Sequence, residues 1–259
     1  MDNRLITGHN QFSQRKAMKL SIRSARTLLL LFLASCSTPK PATLGQTSAP
    51  ITFALIGDVP YTEQDAKVSF PTMIQEINRA QVAFTVHDGD IKHGSLPCTE
   101  QELETRLEQF QSFESPLIYL FGDNEWTDCG GSTPNGPTPD QWLDRLRQIY
   151  TRDNQSLGRR TLTLTRQSEQ KEFSAYRENV RWTMGRVLFV GFNVPGDANN
   201  FGQKEYTERN RANLAWTRDG FAYARTNDLR AIMLILQADP HFDLDATNRC
   251  EEGSMSFSP

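Results

Sequence analysis

Three oxygen-bearing side chains that could bind metal ions stand beside glycines in the first half of the chain. Asp58 and Asp90 each follow a glycine directly, and Asn124 follows Gly122-Asp123. Carboxylate and amide oxygens are hard ligands for divalent cations, and two cations that activate water for attack on phosphorus need a ligand that bridges them. These residue types therefore predict a metal-assisted hydrolytic site, provided that the fold brings the three motifs together.

The elements around these motifs predict that arrangement. Each motif ends a short apolar segment typical of a buried strand, at residues 51–56, 82–86 and 117–121. Amphipathic stretches at 69–79 and 99–113 predict helices between the strands. A strand-helix-strand-helix-strand order favours parallel pairing through right-handed crossovers, which places all three motifs at the carboxyl edge of one sheet.

The second half of the chain is predicted to continue the same α/β pattern. Helices are expected over about 140–150 and 205–224, and strands over 186–193 and 231–236. No element is predicted between about 150 and 172. A length of 259 residues suits one large domain.

The order of the acidic motifs resembles that of the calcineurin-like metallophosphoesterases over about residues 51–240. Members of that family carry Gly-Asp, Gly-Asp, Gly-Asn-His-Glu/Asp, a histidine and finally Gly-His-x-His. The resemblance implies an α/β fold, a four-layer αββα sandwich, and a site with two metal ions that hydrolyses phosphoesters. It further implies that Asp58 binds the first ion, Asp90 bridges both and Asn124 binds the second. The ions expected are iron, manganese or zinc.

Two departures from the family pattern affect the predicted metal ligands. A histidine two residues after the first aspartate is replaced by Pro60, and Tyr61, His87 or His93 could compensate for it. Tyr61 is also a candidate contact to the substrate. Gln237 stands after the last predicted strand, where a histidine ligand is expected, and is therefore assigned to the metal site. Asp239 and His241 are alternative sources of that ligand.

A third departure affects proton transfer. Glu125 replaces the histidine that helps to protonate the leaving group in the family, so Glu125 and His93 become the candidate catalytic residues. Lys92 is the candidate contact to the phosphate. His87 at the end of its strand is assigned either to the site or to the core.

The last family motif, Gly-His-x-His, does not occur in the chain. The resemblance therefore predicts a domain truncated at its C-terminus, with metal ligands missing. The alternative is a family member that has lost activity and serves as a binding or scaffold protein of the cell envelope.

The N-terminal region has the pattern of an export signal. The apolar run 27–33 follows several basic residues and is too short to span a bilayer, and Leu33-Ala34-Ser35-Cys36 resembles a bacterial lipobox. This predicts a signal peptide over 1–36, a lipid anchor at Cys36 and a location in the bacterial envelope, on the periplasmic side of the outer membrane. Met18-Lys19 would be a conventional start, so residues 1–17 are a candidate extension. Residues 37–50 are predicted to be a flexible tether, and 51–259 the catalytic domain.

Charge and cysteines complete the predictions. Lys and Arg total 28 against 31 Asp and Glu, a net charge of −3, which does not indicate a surface for nucleic acid.

Cys98 and Cys129 follow the second and third motifs, and a disulfide between them would join two loops of the site. The alternative is a pair of free thiols. Cys250 has no evident partner.

Overall fold

A computed structural model describes residues 50–130 and 136–239 of the chain. The chain divides into the units Met1–Thr47 and Ser48–Pro259, and the description below concerns the second. The predicted signal peptide, Cys36, most of the tether, His241 and Cys250 lie outside the described residues. Within those residues no helix is long and apolar enough to cross a membrane.

The first sheet contains three parallel strands in the order β1-β2-β3. They are β1 (Ala54–Ile56), β2 (Thr85–His87) and β3 (Leu117–Tyr119). Helix α1 (Phe70–Ala80), preceded by a wide π-helical turn over Asp65–Ser69, connects β1 to β2, and α2 (Glu100–Phe110) connects β2 to β3. The predicted parallel pairing is confirmed, and the three acidic motifs leave the same edge of this sheet.

Side-chain caps fix the first residues of helices α2 and α3. Thr99 caps α2 by accepting a hydrogen bond from the N–H of Glu102 at 3.1 Å. Helix α3 (Pro139–Tyr150) begins with a capping box between Thr138 and Gln141, with proline at its start. Predicted and observed helix boundaries differ only by residues at the ends.

The second sheet contains four strands in the order β4-β5-β6-β7. They are β4 (Thr165–Arg166), β5 (Val180–Met184), β6 (Val187–Gly191) and β7 (Ala231–Ile235). Strands β4, β5 and β6 pair antiparallel, whereas β6 and β7 are parallel and are connected through the short helix α4 (Gly196–Asn199) and the long helix α5 (Tyr206–Thr226). Neither β4 nor β5 was predicted.

Three clusters of buried apolar residues show how the elements pack. Leu117, Tyr119 and Phe121 face α1, α2 and α3, whereas Ile118 and Leu120 pack against the second sheet. The opposite face of the second sheet packs against α5, around Trp216. The alternation follows from the period of two along a strand. The observed fold is mixed α/β with two sheets and helices, as predicted at that level.

Candidate active site

The first two acidic motifs meet at the carboxyl edge of the parallel sheet. The Tyr61 hydroxyl donates to Asp58 Oδ1 at 2.8 Å and lies 3.2 Å from Asp90 Oδ2. The N–H of Asp58 donates to the carbonyl of Gly89 at 3.1 Å. The predicted meeting of Asp58, Tyr61 and Asp90 is therefore present in the structure.

Asp90 is the point on which the other predicted ligands converge. Its Oδ1 accepts a hydrogen bond from the N–H of Asn124 at 3.3 Å, and its Oδ2 accepts one from Gln237 Nε2 at 3.2 Å. The Asn124 side chain in turn donates to the carbonyl of Lys92 at 2.9 Å and lies 3.3 Å from the Tyr61 hydroxyl. Groups that follow three other strands thus surround the buried carboxylate of Asp90.

The glycines of the motifs allow these loops to approach one another. A Cβ atom on Gly122 would lie 2.1 Å from Asp90 Oδ1, and one on Gly89 would lie 2.4 Å from the nitrogen of Gly122. A Cβ atom on Gly57 would lie 1.7 Å from Asp88 Oδ1. Contact between loops, rather than contact with a ligand, therefore requires glycine at these positions.

Both candidate aspartate ligands have a left-handed backbone. The φ angle is +54° at Asp58 and +59° at Asp90. Aspartate and asparagine tolerate this region better than most residues, and such conformations concentrate at functional sites. Asparagine is therefore the least disruptive neutral replacement at either position.

Glu125, a predicted catalytic residue, faces the interior. Its side chain is 0% exposed. Its Oε1 accepts hydrogen bonds from the Tyr119 hydroxyl at 2.6 Å and from the N–H of Gly122 at 2.7 Å, and its Oε2 accepts one from the N–H of Asp90 at 3.1 Å. A carboxylate with this environment joins the second and third loops. We therefore assign it a positioning role in place of the predicted proton transfer.

Lys92, the predicted phosphate contact, is also behind the site. It is only 2% exposed, and its Nζ donates to the carbonyl of Asn124 at 2.7 Å. Burial lowers the pKa of this amine, and the charges of Glu125 and Asp128 act in the opposite direction. The structure thus places Lys92 where it supports the loop that carries Asn124, with its ammonium group bonded to that loop.

His93, the other predicted catalytic residue, is exposed at the rim. Its ring packs edge-on against Tyr61, with the ring centroids 5.5 Å apart. Its Nδ1 accepts a hydrogen bond from the N–H of Ser95 at 3.1 Å, so the neutral ring carries its proton on Nε2. Of the two candidate catalytic residues, His93 is thus the one that is exposed to solvent.

His87 is a core residue. It is 0% exposed and lies among Phe70, Phe110 and Tyr119, and its Nε2 bonds the carbonyl of Val59 at 2.9 Å. Burial lowers its pKa to about 4, so the ring stays neutral. The sequence left open whether His87 belongs to the site or to the core, and the structure places it in the core.

Two further carboxylates lie at this edge: Asp88, which the sequence did not identify, and Asp123, which the sequence favoured as a turn or supporting residue over a ligand. Asp88 lies beside Gly57, and burial followed by the charge of Asp58 raises its pKa to about 6. Asp123 accepts a hydrogen bond from the N–H of Gly196 at 3.1 Å and so connects the third motif to the loop after β6. A run of Asp-Gly-Asp at 88–90 and an aspartate next to Asn124 were the available signals.

The buried carboxylates make the stability of the metal-free protein depend on pH. Burial raises the pKa of Asp90, and the charges of Glu125 and Asp123 raise it further; burial also raises the pKa of Glu125 and, with Asp58, that of Asp88. A raised folded-state pKa gives stability that is present below the unfolded value of about 4 and is lost as the pH rises through the folded value.

We therefore expect the melting temperature of chelator-treated protein to fall as the pH is raised from about 5 to 7.5, by at least ~3 °C. Differential scanning calorimetry measures this change. The Asp90→Asn variant should show a smaller fall because it has one fewer carboxyl group to ionise. An equal fall in both proteins would contradict the assignment to Asp90.

The predicted disulfide between Cys98 and Cys129 is present. It joins the loop after the second motif to a 3₁₀ turn, Thr127–Cys129, that follows the third, over a sequence separation of 31 residues. Closing a loop of this length restricts the unfolded chain and typically stabilises a protein by about 2–4 kcal/mol.

The Cys98→Ser variant is expected to melt about 10 °C below the wild type, on the order of 3 kcal/mol for a domain of this size. Reductant should lower the melting temperature of the wild type to that of the variant and leave the variant unchanged. A reductant effect of equal size in both proteins would show that another thiol is responsible.

The donor groups at the edge differ from a histidine-rich metal centre. Among residues 50–130 and 136–239, no group of three or more His, Cys, Asp or Glu side chains is arranged to hold a metal ion. Two carboxylates meet there, and the remaining predicted ligands are the amides of Asn124 and Gln237 and the phenol of Tyr61.

No family model matches the chain, and no curated protein matches it. The function is therefore argued from the site.

Proposed function

We propose that the protein is a metal-dependent phosphoester hydrolase with a calcineurin-like αββα fold. The observation that carries the proposal is the convergence of Tyr61, Asn124 and Gln237 on the carboxylate of Asp90. These three groups are hydrogen-bond donors, the Tyr61 hydroxyl, the Asn124 N–H and Gln237 Nε2, and they hold one buried carboxylate in place. A carboxylate fixed at the carboxyl ends of parallel strands suits a ligand that bridges two cations. The layered packing of helices, sheet, sheet and helix supports the proposed fold.

The residues present fit a hard, oxygen-preferring cation. Asp58 and Asp90 supply carboxylates, and Asn124 supplies an amide. Gln237 Oε1 is buried and has no hydrogen-bond partner in the described part of the chain, so it is available as a further acceptor for a cation. The lack of imidazole among these ligands favours iron or manganese over a zinc-only site.

Each residue of the site has a separate role in the proposed reaction. Divalent ions bound here would lower the pKa of water and neutralise charge on the phosphoryl group. Asp58 and Asn124 would each hold one ion, Asp90 would be the ligand shared between them, and Gln237 would add a ligand to the second. Tyr61 orients the two aspartates from the first loop.

His93 is the proton donor in this scheme. It is exposed beside Tyr61, and in its imidazolium form it would donate the proton of Nε2, the ring nitrogen that does not bond Ser95. General acid catalysis of this kind contributes about 10²–10⁴ in rate. Glu125 and Lys92 act indirectly, through the loops that they hold.

Hydrolysis of a generic aryl phosphate ester by the full-length chain tests the proposal. We expect hydrolysis with added manganese or iron, and its loss on chelation and return on replacing the metal. If the protein binds metal but hydrolyses neither phosphate monoesters nor diesters, the proposed reaction is contradicted, whereas the proposed metal site is not.

A non-catalytic envelope protein is the second candidate, favoured by two observations. The described residues offer no set of three His, Cys, Asp or Glu ligands, and Glu125 occupies the family's acid position while facing the core. Under this alternative the chain keeps the fold and binds no metal. We propose a lipid-anchored location in the envelope for either function, which the disulfide supports because such bonds persist outside the cytosol.

A further inference from the structure

Asn193, at the end of strand β6, has a buried side chain with no assigned use. It is 1% exposed, and in the described part of the chain neither its Nδ2 nor its Oδ1 has a hydrogen-bond partner. Leaving a buried amide unpaired costs free energy, so such groups in native proteins usually serve a ligand or an ordered water. Asn193 would serve a ligand of the candidate site if its side chain faces that site.

The alternation along β6 shows which way this side chain points. Val190, Phe192 and Val194 pack in the cluster against α5, whereas Phe189 packs in the core between the two sheets. Because successive side chains of an extended segment point to opposite faces, Asn193 lies on the face toward the first sheet. That sheet carries the three acidic motifs at its carboxyl edge.

The neighbouring strand places Gln237 on the same face. Leu236 and Ala238 pack toward α5 and Ile235 packs between the sheets, so Gln237 points toward the first sheet. Its Nε2 donates to Asp90 Oδ2, which confirms that direction.

Backbone hydrogen bonds keep the two chain segments side by side at this point. The N–H of Phe192 donates to the carbonyl of Ile235 at 3.3 Å, and that of Ala238 donates to the carbonyl of Val194 at 3.0 Å. Asn193 and Gln237 lie between these two bonds. Neighbouring strands are about 4.8 Å apart, so the two amides are adjacent at the edge of the candidate site.

The backbone of Asn193 is held in place by its own partners. Its N–H donates to Asn179 Oδ1 at 3.0 Å, and its carbonyl accepts from Asn213 Nδ2 at 2.7 Å and from Arg209 at 3.2 Å. The main chain is thus fully bonded while the side-chain amide is left unpaired. A fixed backbone with a free amide is the arrangement of a preorganised hydrogen-bond donor.

We propose that Asn193 is a phosphoryl-binding residue, whose Nδ2 donates a hydrogen bond to a non-bridging oxygen of the substrate. The inference rests on the proposed function and adds a residue to that site. The carboxylates of Asp58 and Asp90 repel an anion, so a neutral donor is needed beside them. Lys92, predicted for this contact, is bonded to the carbonyl of Asn124.

Isothermal titration of inorganic phosphate into the full-length, manganese-loaded protein tests the inference without requiring turnover. Asn193→Ala should raise the dissociation constant of phosphate about tenfold, the loss of one hydrogen bond to a charged group. Asn193→Asp keeps the shape, adds a negative charge and should raise it further. Asn210→Ala is the matched control, because Asn210 on α5 also has an unpartnered amide oxygen. It should bind phosphate like the wild type.

Phosphate affinity within twofold of the wild type in a folded Asn193 variant would overturn the inference. So would a wild type that binds manganese but no phosphate, whereas a wild type without bound metal would overturn the proposed function itself. If both variants fail to fold, a crystal structure of the wild type with phosphate decides the question. A phosphate oxygen within ~3.2 Å of Nδ2 supports the inference, and a more distant one contradicts it.

Discussion

Replacing Asp90 by asparagine is expected to reduce phosphoester hydrolysis by about a thousandfold or more, or about 4 kcal/mol in activation free energy. The change removes the carboxylate on which Tyr61, Asn124 and Gln237 converge. Asparagine tolerates the left-handed backbone at this position, where φ is +59°, so the fold should survive. Steady-state kinetics with an aryl phosphate ester measures the effect.

The matched control for this variant is Asp123→Asn. Asp123 is a neighbouring carboxylate of the same edge, and it accepts a hydrogen bond from the N–H of Gly196 in the loop after β6. We expect it to lose less than tenfold in activity. Equal losses in the two variants would indicate a general effect of charge at this edge and would count against a bridging role for Asp90.

Glu125→Ala is expected to destabilise the protein by about 3–5 kcal/mol. The change leaves three buried donors without an acceptor, namely the Tyr119 hydroxyl and the N–H groups of Gly122 and Asp90. Because a domain of this size loses about 2–4 °C per kcal/mol, the melting temperature should fall by on the order of 10 °C. Thermal unfolding of the metal-free protein measures this directly.

The conservative variant Glu125→Gln separates positioning from proton transfer. It keeps the volume and one acceptor oxygen, so a positioning role predicts a small loss of stability and an activity within about tenfold of the wild type. A catalytic acid at this position predicts the opposite pattern, with nearly unchanged melting and a loss of 10² or more. That second result would restore the role expected from the family resemblance.

The strands and helices that carry the acidic motifs could be predicted because their signals are local. The segments before Asp90 and Asn124 form buried strands, and the helices between the strands have one apolar face. The segment before Asp58 also forms a strand, β1, but it was wrongly predicted to be buried, because β1 lies at the edge of the sheet and Leu55 is 47% exposed. Parallel order follows from the alternation of strands and helices. Strand β5 was missed although Val180, Trp182 and Met184 alternate with polar residues, which is the pattern of a half-buried strand.

The side-chain roles were harder to predict because they depend on contacts between distant residues. Glu125 is enclosed by a hydroxyl from β3 and an N–H from the second loop, and no spacing in the sequence indicates that environment. The polar loop around Lys92 predicts an exposed side chain, yet Lys92 is buried and bonded to the carbonyl of Asn124. Asn193 follows strand β6 closely, as Asp58, Asp90 and Asn124 follow theirs, so the same rule applied to β6 could have identified it.

The metal content of the purified full-length protein tests the account most directly. Elemental analysis by plasma mass spectrometry should find two equivalents of iron, manganese or zinc in the wild type, and fewer in Asp90→Asn. A single equivalent in the wild type would overturn the two-metal version of the site. Wild-type protein that retains no metal after growth in metal-supplemented medium, and takes up none on titration, would contradict the account and favour the non-catalytic envelope protein.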